Sequence, residues 1–228
     1  MATPSIEAAL EAAERAVADE FSLSGTGFWP AVGAVRRSPE LADRYAERMA
    51  AIDQAAFDNW VLFKVPLHVG TTLMVLGTLV GLALIAVAYS LDAPLDVLSF
   101  FAGLGVLLVT THGLGHLVVG TAFGIGFTGW FIGTLAMPQP GVKVDYSSYL
   151  RAPASKRAWM HASGALTTKA IPFLLVGAAA YSNLPGWTIG VLIGLGVVMV
   201  ITDVLWSTKS SDWKKFRREM SIRRLQAS

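Results

Sequence analysis

Val97 to Phe123 reads VLSFFAGLGVLLVTTHGLGHLVVGTAF, a run without a single charge that nonetheless carries two histidines, His112 and His116. As a helix rising 1.5 Å per residue it is about 40 Å long, more than the roughly 30 Å of a bilayer's hydrocarbon. The surrounding charge pattern gives the same reading. From Val65 to Thr208, 144 residues hold nine charges, whereas the 64 before them hold sixteen and the 20 after them hold nine. With 15% of residues charged and 54% apolar, this partition excludes an ordinary soluble domain, a disordered chain and a secreted mini-protein. It describes an all-α polytopic membrane protein in three parts. Residues 1–64 form a cytoplasmic amphipathic helical segment, 65–208 a four-span membrane domain, and 209–228 a basic cytoplasmic tail.

The four spans are expected near Val65–Tyr89, Val97–Phe123, Trp159–Tyr181 and Trp187–Trp206. The turns after the first and third contain no Lys or Arg. The segment before span one carries Arg36, Arg37, Arg44, Arg48 and Lys64. The connection between spans two and three carries Lys143, Arg151, Lys156 and Arg157, and seven basic residues follow span four. The positive-inside rule therefore places both termini and the middle connection in the cytoplasm.

Before the spans, Pro4–Phe21 has helical apolar spacing, Ser22–Gly33 reads as a glycine-rich loop touching the membrane interface, and Ser38-Pro39-Glu40 starts a helix running to Trp60. Met1 to Glu20 is acidic, so no cleavable signal peptide is expected. Between spans two and three, Gly126–Thr134 is apolar, punctuated by glycine and too short to cross. It reads as a hairpin re-entering the membrane face, with glycines marking bulges or close backbone approach.

There is no cysteine, so disulfides, thiolate metal sites and a cysteine nucleophile are excluded. A net charge of +2, with basic residues beside the spans, points to a lipid bilayer as partner and not to nucleic acid. His112 and His116 are four residues apart, so both imidazoles leave one helix face a turn apart and can chelate one metal ion. Asp203 is the one acid in the last span and falls toward the cytoplasmic end, as the histidines do. The three together make an open-sided ligand set suited to zinc. Lys169, in mid-span, needs a partner because an ammonium there costs about 2.5–3.5 kcal/mol. Asp203 and carbonyls freed by Pro172 are the two candidates.

Thr111–Gly120 resembles the zinc helix of the site-2 protease family of intramembrane metalloproteases, whose pattern is His-Glu-x-x-His. The likeness extends in order and spacing through Gly124–Thr134, Lys156-Arg157, His161–Thr167 and Asp203, about half the chain. It implies one zinc ion held by His112, His116 and Asp203, supporting positions at Thr111, His161 and Lys169, and a transmembrane peptide as client. It also implies peptidase chemistry, but the glutamate position is Gly113, the Gly-Pro-x-x-Asn element appears only as Gly164-Ala165-Leu166-Thr167, and Asp203 lacks its usual Asn-Pro and Asp-Gly setting. Without the glutamate nothing in the matched motif moves protons for hydrolysis, so peptidase activity is expected to be impaired or absent. The other cytoplasmic-side acids, Asp145 and Asp212, lie in connections and reach the site only if the chain folds back. Gly113→Glu restores turnover only if the metal geometry is intact. Two alternatives remain open: a membrane adaptor whose histidines bind helices together, and a haem protein using two of His68, His116 and His161.

The topology predicts that cysteines replacing Ala93 and Asn183 label from outside the cell, and that those replacing Ser148 and Ser210 do not. External labelling at position 148 would contradict it.

Overall fold

The computed structural model describes residues 5–19, 22–133, 140–205 and 211–227. Met1, Pro4, Glu20, Phe21, Thr134, Trp206, Thr208 and Ser210, which figure in the readings above, lie outside the described residues.

Three helices precede the apolar part: α1 (Ile6–Ala18), α2 (Phe28–Val35) and α3 (Pro39–Trp60). The start of α3 is as the sequence predicts, with Pro39 in its first turn and Ser38 Oγ accepting from the Leu41 amide at 3.2 Å. The Ser22–Gly33 loop is not as expected, because its second half is α2. Phe28, Ala31, Val32 and Val35 are all buried and recur at helical spacing. Pro30 sits in the first turn, where a missing amide costs nothing. Within the loop expected to touch the interface, Phe28 is fully buried and Trp29 is exposed.

The chain enters the apolar part through a short strand, β1 (Phe63–Pro66), where the first span was expected to have begun. Four long helices follow: α4 (Leu67–Ala88), α5 (Leu95–Ala122), α7 (Ala154–Ala180) and α8 (Trp187–Leu205). Among the described residues α4, α5 and α7 are long and apolar enough to cross a bilayer, while the apolar part of α8, Trp187–Asp203, is shorter. Leu79, Leu98, Val118 and Leu174 are each more than half exposed, and such apolar faces suit hydrocarbon surroundings. Inside the bundle, Phe100, Leu104, Ile171 and Leu192 share one buried cluster.

The connection between α5 and α7 holds β2 (Phe127–Ile132), β3 (Gly141–Val144) and α6 (Tyr146–Arg151). β2 pairs antiparallel with both β1 and β3 in a three-stranded sheet of order β1-β2-β3, so most of the stretch expected to be a hairpin by itself is one central strand. Its bulge falls between Phe127 and Gly129, where glycine was read as marking one.

The tail forms α9 (Asp212–Ala227), which folds back against α7. Its anchor is the fully buried Glu219. This carboxylate accepts from Arg157 Nε at 2.7 Å and from Tyr149 Oη at 3.1 Å, and pairs with Arg36 Nη1 at 3.6 Å. Arg157 also donates to the carbonyls of Leu150, Ala152 and Arg36. One buried carboxylate thus ties the end of α2, α6, α7 and α9 together. Removing one member of a buried pair strands the other charge, so Glu219→Ala is predicted to cost about 3–5 kcal/mol. Thermal unfolding in detergent measures this, and an unchanged midpoint would contradict it.

Candidate metal centre

The histidines lie on α5 as the spacing predicts, their ring centroids 4.8 Å apart and their planes at 89°. Each has a definite setting. His116 Nδ1 is 2.7 Å from the carbonyl oxygen of Met160 on α7, so that nitrogen carries the proton and donates it. The ring can reach that carbonyl because residue 164 is glycine. A Cβ there would stand 2.4 Å from His116 Nε2. In the sequence comparison Gly164 stood in for a Gly-Pro-x-x-Asn element; in the structure it is the seat of a histidine ring.

With Nδ1 protonated, a neutral His116 presents a bare lone pair at Nε2. Asp212 Oδ2 lies 3.1 Å from this Nε2 and 3.2 Å from His112 Nε2. A lone pair at His116 Nε2 and a carboxylate oxygen at this range repel unless a cation lies between them, either a second proton on that imidazole or a metal ion. The three donor atoms lie within 4.8 Å of one another, and among the described residues they form the one group of three or more His, Cys, Asp or Glu side chains able to hold a metal. Ligand atoms bound at about 2.0–2.1 Å in a tetrahedral site are about 3.3–3.4 Å apart, close to the two carboxylate spacings. Burial pushes the Asp212 carboxyl up, but where the facing imidazole nitrogens carry a proton, hydrogen bonds from His112 and His116 outweigh it and hold the group well below the usual carboxylate range. Asp212 is therefore anionic at neutral pH, as a ligand must be.

The carboxylate differs from the one expected. Asp203 does not join the histidines; its Oδ2 pairs with Lys169 Nζ at 2.8 Å. The reason is the cost of an unpaired ammonium in an apolar helix, which captures the nearest anion. Lys169 also donates to the Ala165 carbonyl at 3.3 Å, one turn back. Asp212 instead arrives by the fold-back that α9 makes, as its first residue. Asp145, the other acid named from the sequence, caps α6 by accepting from the amides of Ser147 and Ser148.

The supporting positions divide. Thr111 Oγ1 donates along its own helix to the Leu107 carbonyl at 2.6 Å. His161 Nε2 lies 2.9 Å from Tyr149 Oη, which passes its own proton toward Glu219. His161 therefore belongs to the buried anchor of α9 and not to the ligand set, and His68 is exposed on α4. Lys215, which the sequence reading did not single out, has its Nζ 3.3 Å from Asp212 Oδ1.

Gly113 is filled from outside. A Cβ at this position would lie 2.4 Å from Trp130 Cζ3 and 2.6 Å from Cη2. The same indole covers Gly70 of α4, where a Cβ would be 2.4 Å from Cδ1, and its Nε1 donates to Thr71 Oγ1 at 3.0 Å. The position that carries the glutamate in the resembled family is thus the floor of a slot for Trp130, itself 3% exposed. A cavity of about 350 Å³ lies beside it, lined by His112, His116, Asp212, Lys215, Trp60 and Phe131 among others. Compared with known proteins, the chain matches no family model, no curated protein and no solved structure.

A glutamate at residue 113 must expel Trp130. Gly113→Glu is therefore predicted to destabilise the protein by at least the roughly 1–3 kcal/mol of an overpacked core. Trp130→Ala leaves a hole that the new side chain can enter. The double variant should therefore be less destabilised than the two single losses combined, and additive losses in a double-mutant cycle would contradict the slot.

Proposed function

We propose that the protein is an integral membrane metalloprotein of the site-2 protease type that holds one zinc ion and does not hydrolyse peptides. The observation that carries this reading is the meeting of His112 Nε2, His116 Nε2 and Asp212 Oδ2 around one point. Two imidazoles and one carboxylate are a zinc donor set that leaves a fourth position open, and the Met160 carbonyl fixes the tautomer of His116 that such binding needs.

In this reading α8 is the fourth span, both termini and the α5–α7 connection are cytoplasmic, and the β2–β3 hairpin lies in the membrane face beside the ion. Bound zinc would polarise a water or carbonyl oxygen. The chain's own residues hold Asp212 anionic and keep Trp130 where a general base would stand. Lys215 is the other titratable side chain among the described residues lining the cavity. An ammonium cannot accept the proton of an attacking water. A transmembrane peptide client that is bound without being cut fits both the open ligand position and the missing base. Among the described residues no contact favours the haem alternative: His161 is committed to Tyr149, and the Nε2 of His116 faces Asp212.

Metal analysis and a cleavage assay test the proposal together. The purified protein should retain about one equivalent of zinc. Losing a ligand should weaken binding by more than the ten- to hundred-fold typical of supporting residues, so His112→Ala/His116→Ala and Asp212→Asn should empty the site. Asp203→Asn should leave the stoichiometry unchanged. A transmembrane model substrate should not be cut by the unaltered chain. Zinc-dependent cleavage, or loss of zinc through Asp203→Asn with Asp212→Asn unaffected, would overturn the reading.

A further inference from the structure

The outer face of α9 is as ordered in its chemistry as the inner one. At 100° per residue, Lys214, Arg217, Arg218, Ser221 and Arg224 fall within an arc of about 120°. All five are exposed. Lys214, Arg217 and Arg224 have no ion-pair partner among the described residues, so three cations on one face are left for something outside the fold. The side of α9 that meets α7 is different. Phe216 packs on Trp159 with ring centroids 5.6 Å apart and stacks on Trp213 at 5.1 Å. Trp159 is itself half exposed, and Lys156, one turn before it on α7, is exposed as well. Aromatic rings bordered by Lys and Arg at the foot of an apolar helix are the composition of a membrane–water interface.

We infer that this face of α9 binds anionic phospholipid headgroups at the bilayer surface and so sets how firmly the metal centre is closed. The first half stands on the basic arc and its aromatic border. The second half rests on the proposed metal site. Asp212 is the first residue of the same helix whose outer face meets the headgroups, so lipid that holds α9 in place also holds the third ligand in place. The charge fits the partner, since each Lys or Arg near an anionic surface counts for about a fivefold change in affinity. The arc carries four.

The test uses the full chain in lipid nanodiscs, either of phosphatidylcholine alone or with one-third phosphatidylglycerol. Hydrogen exchange of residues 212–227 and zinc affinity are measured in both. Anionic discs should slow exchange of α9 at least about tenfold and tighten zinc binding. Lys214→Gln/Arg217→Gln/Arg224→Gln, which alters only exposed side chains, should abolish both differences while matching the unaltered chain in neutral discs. Equal α9 exchange in the two discs would overturn the inference, as would equal protection in neutral discs by a DNA oligonucleotide. Lipid-dependent exchange in a protein that takes up no zinc would uphold the headgroup site and sink the metal reading instead. Zinc binding unaffected by lipid, with exchange still responding, would overturn the coupling alone.

Discussion

A neutral imidazole whose Nδ1 proton is given to a backbone carbonyl offers a lone pair at Nε2, and in His116 that nitrogen faces a carboxylate oxygen 3.1 Å away. Inside a mostly apolar bundle this is tolerable only with a positive charge between the two. Much of this end of the bundle is arranged around that requirement. Gly164 admits the ring, α7 supplies the carbonyl, and α9 turns back to bring Asp212. The Glu219–Arg157 pair, with both side chains buried, holds α9 where that meeting can happen.

The second constraint is steric. Trp130 joins the sheet to the bundle by filling a slot whose two walls, Gly70 and Gly113, come from α4 and α5. A protease of the resembled type needs an acidic side chain at the second of these positions. This chain uses the same position to seat an indole, and its hydrogen bond to Thr71 fixes the ring's orientation. An acidic side chain at residue 113 and the seated indole therefore exclude one another, and the indole occupies the position.

Much of this was legible in the sequence, and where it was not, the reasons are physical. Histidine spacing alone put His112 and His116 on one face. The cost of a buried ammonium made Asp203 a candidate partner for Lys169, which is where the structure puts it. The same Asp203 was taken as the third ligand because its depth and order suited either role, and a one-dimensional reading cannot decide which cation claims an anion. Asp212 was visible only as an acid in a connection, since the reversal between α8 and α9 leaves no mark in periodicity. The helix α2 did carry a signal in the spacing of Phe28, Ala31, Val32 and Val35, but three glycines and a proline masked it. β1, at four residues, is too short for alternation to show.

X-ray absorption at the zinc edge of the metal-loaded protein bears most directly on the central claim. The account predicts a four-coordinate shell of nitrogen and oxygen at about 2.0–2.1 Å, with the multiple-scattering signature of two imidazoles and a measurable change in the oxygen shell in Asp212→Asn. A spectrum showing only oxygen neighbours, with no imidazole signature, would mean that zinc binds elsewhere and that the two histidines and Asp212 meet for another reason.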